Sequence, residues 1–378
     1  MAKMLDGVKV IDLSRNLAGP FCGMMLADLG AEVIKVETPG KGDDARTYGP
    51  FINGESGYFI SINRGKKSVT LNLKDPDDKE KLKKLIRDAD VMLDNFRPGV
   101  LDRLGITEEW VSEINPQLIF ASITGFGQTG PYRTKAAYDM VVQGYGGIMS
   151  LTGDPGGHPT RVGISIGDLA AGLYMTIGVL ADLYARRKTG RGDRLDVAML
   201  DCQVALLENS LVRYFASGVC PGPIGNRHPS ITPFEAYPTK DGNLIICAGN
   251  PKNWNDMCDA LEREDLRNDE RFATNELRTN NREALAELLA QQLKTKTTKE
   301  WIAVLEEHQV PCGPVNTVAD IVENEQVKAR DMIISIDYPG TGEIKSPGCP
   351  IKSKEYPVHP DTPAPKLGQH NEEILGAL

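Results

Sequence analysis

The chain is poor in the side chains that carry the commonest catalytic motifs. Its five histidines are His158, His228, His308, His359 and His370, and only the first two fall in turn-rich loops. No Ser-His-Asp or Cys-His arrangement stands out, and no G-x-S-x-G elbow or H-E-x-x-H pair occurs, so the sequence marks of serine hydrolases and zinc proteases are missing. The seven cysteines are scattered, with no C-x-x-C pair, which leaves neither a zinc ribbon nor a thioredoxin motif. No metal constellation is visible. An odd set of dispersed cysteines is expected to be reduced and points to the cytoplasm. Positive charge is in deficit, with 43 Lys and Arg against 52 Asp and Glu and a net charge of −9. That balance argues against a nucleic-acid or anionic-membrane partner. The longest apolar stretch, Gly172 to Ala185, contains Asp182 and is too short to span a bilayer. The opening MAKMLDGVKVIDL lacks the layout of a signal peptide.

What is present is an ordinary globular composition with a clear alternation of elements. The 378 residues suffice for one large and one small domain. Val8 to Leu13, Ala31 to Glu37, Lys67 to Leu73, Val91 to Asn95 and Leu118 to Thr124 read as strands. Helices are predicted over Pro20–Leu29, Pro76–Ile86 and Glu108–Ile114 between them. Such alternation implies an α/β fold with a parallel sheet covered on both faces. After the Pro- and Gly-rich PGPIGNRHPSITP the pattern changes to a hairpin, Phe234–Pro238 and Asn243–Ala248, followed by helices near 252–262, 282–294, 298–309 and 317–329. Met332–Tyr338 and Gly342–Lys352 look like strands. The expected organisation is a Rossmann-like large domain over 1–200 completed by 331–378, a small α+β domain over 225–330, and a linker over 201–224.

Asp168 is the leading candidate for chemistry. A strand-like run, Arg161 to Ile166, ends in Gly167, and Asp168 then opens the most apolar helix of the chain. A carboxylate on unpaired helix N–H groups and the positive end of the dipole is expected to stay ionised at neutral pH, and an ionised carboxylate is a nucleophile. The plainer reading of an acid in this position is a helix cap. Small flanking residues and an apolar helix through Leu180, expected to be buried, favour a functional role.

Two features imitate a dinucleotide site. Glu37 ends the second strand where an acid would hold a ribose, but the first turn, SRNLAGP, lacks the glycine fingerprint. GFGQTG, Gly125 to Gly130, follows a strand but leads into no clear β-α-β unit, so NAD is not expected. Basic residues are dense in the first 140 positions, including Lys35, Arg64, Lys66, Lys67, Lys74 and Lys135, and are expected at loop ends where they can clamp a phosphorylated ligand.

The succession LDGVKVIDLSRNLAGPFCGMMLADLGAEVIKVE, NRGKKSVTLNLK, DNFRPGVLDRLG, ITGFGQTGPY, AAYDMVVQGYGGIMSLTG, GDLAAGLYMTIGVLADLYARRKTGRG and KLGQHNEEIL resembles the class III coenzyme A transferase family over almost the whole chain. The resemblance implies that Asp168 is the nucleophile, passing through an acyl anhydride and an aspartyl-CoA thioester. It implies CoA or acyl-CoA contacts at Leu17, Ala18, Leu71, Asn72, Leu73, Lys74, Asn95, Phe96, Arg97, Arg103, Ala136, Ala137, Tyr138 and Asp139, and a substrate loop at Gly249 and Asn250. It also implies small-molecule partners only, an acyl-CoA and a free carboxylic acid, and an interlocked homodimer. Formyl-CoA transferases carry Gln where Leu17 stands, which argues against formyl-CoA and oxalate as the pair. The stretch 225–250 looks closer to transferases serving dicarboxylates. Related α-methylacyl-CoA racemases place a histidine before an aspartate. Here that pair is Tyr138-Asp139, and a phenol is a poor base at neutral pH, so transfer is favoured over racemisation.

Overall fold

The computed structural model describes residues 2–360 and 362–378. Two units emerge: Met1–Met149, Arg161–Cys220 and Gln326–Leu378 form the first, and Ser150–Thr160 with Pro221–Glu325 the second.

The first unit is built on six parallel strands: β1 (Lys9–Asp12), β2 (Glu32–Glu37), β3 (Lys66–Thr70), β4 (Val91–Asp94), β5 (Ile119–Thr124) and β6 (Arg194–Ala198). Their order is β3-β2-β1-β4-β5-β6, the Rossmann order, with its reversal between β1 and β4. Continuous burial along β4 and β5 is what a sheet covered on both faces requires. Helix α1 (Ala18–Asp28) carries Pro20 in its first turn. Helix α2 (Pro76–Arg87) is capped by Asp75, whose side chain accepts from the Asp77 N–H, and has Pro76 at its start. The sequence reading misses β6, because RLDVA is short, half-exposed and polar at alternate positions. The C-terminal tail covers the β3 edge: the Ser68 N–H donates to His370 Nδ1 at 3.0 Å and the Thr70 N–H to Asn371 Oδ1 at 2.8 Å. An open ladder edge is thereby paired.

Several expectations are corrected. Arg161–Ser165 forms no strand; the Val162 N–H donates to Gln143 Oε1 at 2.9 Å instead of to a ladder. Helix α5 (Ile166–Thr189) starts two residues before Asp168, which sits inside the first turn rather than at the cap. Before it come α3 (Glu108–Ile114) and α4 (Asp139–Tyr145). Only one face of α5 is buried, through Ala170, Ala171, Met175 and Val179, while Leu173, Tyr174 and Ile177 are exposed. The full 24-residue helix is long and apolar enough to cross a membrane by length and composition, which the shorter stretch read from sequence was not. The expected linker 201–224 holds the helices α6 (Met199–Leu206) and α7 (Glu208–Ser217), both in the first unit.

The second unit has a three-stranded sheet, β7 (Phe234–Pro238), β8 (Asn243–Cys247) and β9 (Cys312–Pro314), packed with Trp254, Phe272, Leu289 and Trp301 in its core. It also takes in 150–160, which the sequence reading assigned to the large domain. The helix expected over 317–329 is two helices, Val318–Glu323 and Glu325–Ala329, broken where Asn324 turns extended.

Candidate active site

At the sheet reversal the chains leaving β1 and β4 part in opposite directions and open a crevice at the carboxyl ends of the strands. Ser14–Asn16 follow β1 and Asn95–Arg97 follow β4. The Asn95 side chain ties the two loops: its Oδ1 accepts from the Arg15 N–H at 2.8 Å and its Nδ2 donates to the Arg15 carbonyl at 2.6 Å. Phe96 lines several clefts here, and two of them bear on Asp168 and the residues singled out by the resemblance. The larger, about 770 Å³, combines apolar Leu13, Val36, Leu71 and Leu73 with the cations Arg15, Lys41, Lys74 and Arg103. The smaller, about 100 Å³, is lined by Asp168 together with Asn16, Ala18, Thr124, Tyr138, Met199 and three cations, Arg97, Arg133 and Lys135.

Asp168 reaches this cleft because α5 packs hard on α1. A Cβ on Gly172 would stand 2.9 Å from the Ala18 carbonyl oxygen, so only glycine allows the two backbones so close. The start of α5 is already met by another acid. Asp139 Oδ1 accepts from the Gly167 N–H at 2.8 Å, and Gln143 Nε2 donates to Asp139 Oδ2 at 2.7 Å. Asp168 is therefore not held ionised by the helix terminus as expected. Burial, with the charge of Asp139 beside it, pushes its carboxyl up to about 7, and among the described residues no cation pairs with it. Tyr58 senses the same charge: burial and then Asp168 push its phenol up to about 12.

Beneath the crevice lies a different set of charges. Lys66 Nζ contacts Asp12 Oδ2 at 2.8 Å and donates to the Pro20 carbonyl and Asn63 Oδ1. Lys35 Nζ contacts Asp43 Oδ2 at 2.8 Å and donates to the Ser14 carbonyl. Glu37 is paired with Arg46 and accepts from Ser68. Arg64 is paired with Asp28. Lys35, Arg64 and Lys66 are thus not phosphate clamps at loop ends. They are almost wholly buried, and each is consumed by an acid: Lys35 by Asp43 nearby in the sequence, Arg64 and Lys66 by the distant Asp28 and Asp12. Glu37, the residue that mimicked a ribose acceptor, is likewise spent.

The model of CoA-transferase family III matches residues 5–371. The chain belongs to CoA-transferase family III. An acetyl-CoA:oxalate CoA-transferase of Acetobacter aceti is 44% identical, over 98% of this chain and 94% of that protein. A succinyl-CoA:glutarate CoA-transferase of Homo sapiens is 40% identical, over 99% of this chain and 85% of that protein. A crystal structure of a CaiB/BaiF family protein from Brucella suis covers 100% of both chains with a TM-score of 0.89 and 42% identity. This family III chain is accordingly a CoA-transferase enzyme, and the racemase reading is not favoured.

Within this CoA-transferase the residues marked by the resemblance divide between the two clefts. Leu71, Asn72, Leu73, Lys74, Phe96 and Arg103 line the larger one. Ala18, Asn95, Phe96, Arg97, Ala137 and Tyr138 line the smaller one with Asp168. Leu17 and Ala136 line neither, and Asp139 is buried and engaged with Gly167 and Gln143. Asn95 has both ends of its amide committed to Arg15, so its side chain shapes the site rather than offering itself to a ligand. Gly249 and Asn250 belong to the second unit, where the Gly249 carbonyl accepts from Arg278 at 2.8 Å and Asn250 caps the helix Pro251–Ala260. Sequence reasoning passed over Arg15, Asn16, Arg133 and Gln143. For Arg15 and Asn16 the sign was their place directly after β1. For Gln143 it was a spacing of four from Asp139, which puts both on one helix face.

Proposed function

We propose that the protein moves CoA from an acyl-CoA donor to a free carboxylic acid with Asp168 as nucleophile. The observation that carries this reading is an unpaired, half-buried carboxylate lining a small cationic cleft that shares Phe96 with a larger apolar and cationic one. The larger cleft suits the CoA nucleotide: Arg15, Lys74 and Arg103 meet phosphates, and Leu71 and Phe96 pack against flat or aliphatic groups. In the first step an Asp168 oxygen attacks the thioester carbonyl, the C–S bond breaks, and CoA thiolate leaves an acyl-aspartyl anhydride. The thiolate attacks the Asp168 carbonyl and expels the donor acid, which gives aspartyl-CoA. The acceptor carboxylate attacks that thioester, releasing the thiolate again, and the thiolate takes the acyl carbon of the new anhydride and frees Asp168. Each intermediate is an activated acyl group, so one hard exchange becomes steps of similar energy. The N-terminus of α1, which has no side-chain cap, offers N–H groups to the tetrahedral oxyanions.

Arg97, Arg133 and Lys135 against the single acid Asp168 favour an acceptor with a second carboxylate. The relatives named for oxalate and glutarate support a dicarboxylate. The reading includes a cytoplasmic setting and a homodimer with interlocked chains. Exposed Leu173, Tyr174 and Ile177 on α5 and Val212 and Phe215 on α7 support association. The test is hydroxylamine trapping during turnover with a panel of acyl-CoAs and dicarboxylates, followed by peptide mass spectrometry. A hydroxamate at Asp168 and a new CoA thioester are expected; turnover with no label there would overturn the nucleophile.

A further inference from the structure

The C-terminal segment KLGQHNEEIL lines neither cleft, yet it is fastened to the strand that leads into the larger one. It takes three groups of Ser68. The Ser68 carbonyl accepts from the His370 N–H at 2.9 Å, the Ser68 N–H donates to His370 Nδ1, and Ser68 Oγ accepts from the Gly368 N–H at 3.0 Å. At Thr70, the last residue of β3, the Asn371 amide takes two more: its Oδ1 accepts from the Thr70 N–H and its Nδ2 donates to Thr70 Oγ1 at 2.8 Å. Gly368 lies at φ 65°, and a Cβ there would stand 2.9 Å from Asn371 Nδ2 and 3.2 Å from Thr70 Cγ2, so the tail folds tightly over the strand end. Ile374 and Leu375 then pack on the apolar cluster that holds Leu13, Val36 and Leu71, which also wall the larger cleft.

β3 ends the sheet and has a ladder to β2 alone. An edge strand with one bare side opens locally at low cost. Leu71–Lys74 start directly after Thr70 and line the larger cleft. Within that stretch the Asn72 N–H is held by Asp78 Oδ2 at 2.8 Å; the end at Thr70 is held by the tail. A loop fixed before its ligand arrives loses less freedom on binding and so binds more tightly. We infer that His370 and Asn371 are positioning residues of the acyl-CoA site: by closing the β3 edge at Ser68 and Thr70 they set Leu71–Lys74 in the larger cleft. The inference rests on the reading of that cleft as the place of the CoA nucleotide.

The test is calorimetric binding of CoA to the full-length protein, with steady-state transfer measured alongside. Asn371→Ala removes both bonds to Thr70 from a half-buried position. Asn371→Asp keeps them, because a carboxylate accepts from the Thr70 N–H and from the Thr70 hydroxyl. N371A is expected to weaken CoA binding and raise the acyl-CoA KM about three- to tenfold, with kcat at saturation changed by less than about twofold. N371D is expected to stay within about twofold of the parent. Arg103→Ala, which removes a cation inside the cleft, is the reference. Affinity lost in R103A but unchanged in N371A would overturn the proposal and leave the cleft reading standing; affinity unchanged in both would overturn the cleft reading and the proposal with it. An equal loss in N371A and N371D, or a fall in kcat as large as the rise in KM, would also overturn the positioning role.

Discussion

Asp12 and Asp168 are the same side chain in two kinds of burial. Burial alone would raise Asp12, but Lys66 and Lys35 hold its carboxyl below the usual range, and it serves to fix the turn after β1. Asp168 has no such cation, lies beside a second acid, and is pushed up to about 7. The pairing separates a structural acid from a reactive one: a charge whose lone pairs are satisfied is inert, and one left short of partners has free energy to release on reaction.

The largest expected effect comes from removing the reactive member. Asp168→Asn should lower transfer by at least about 10³-fold in steady-state assays, while CoA binding stays near the parent value. The same variant should stabilise the protein as pH rises. Because the folded value of Asp168 lies above the ordinary 3.8, the native state binds its proton more tightly than the unfolded chain, and stability is lost between those two values as pH increases. The melting gain of D168N over the parent should therefore be larger at pH 8 than at pH 5; an equal gain would break the comparison.

Lys66→Met strikes the structural member. It leaves Asp12 buried without its nearest cation and should cost about 3–5 kcal/mol in denaturant unfolding. The pH sign is opposite to that of Asp168: the support from Asp12 is present above the ordinary carboxylate range and is lost only as pH falls below it. A third expectation concerns rate. In the parent, kcat/KM should fall about tenfold per pH unit below about 7 and level off above it, as the nucleophile protonates. A flat profile down to pH 5 would show Asp168 ionised throughout. The smallest effect is remote from both acids. Arg103→Ala, which removes a cation from the larger cleft, should raise the CoA-ester KM about tenfold with kcat little changed, because phosphate binding is nearly uniform along the reaction.

Much of the fold was legible because its signals are local. The helix over Pro76–Arg87 announces itself by a capping Asp75, a proline at the start and acids in the first turn. The hairpin Phe234–Cys247 stands out by strand-forming runs around Lys240-Asp241-Gly242. The segment Arg161–Ser165 was misread because its alternation suits a strand, while its Val162 N–H is claimed by Gln143, 19 positions away. The basic cluster at 63–67 was misread for the same kind of reason: Lys66 finds Asp12 across 54 residues, and nothing in either segment advertises the other.

By itself the sequence determined the first five strands and the helices alternating with them, the parallel sheet they imply, and the family whose pattern runs from residue 5 to 371. These depend on periodicity, turn residues and short-range propensity, which are written within a few positions of where they act. The tertiary structure alone decided which charges are spent and which are free, placing Lys35 and Lys66 in the interior and leaving Asp168 unpaired in a cleft. Charge pairing and desolvation depend on neighbours in space, and only the closed fold supplies them.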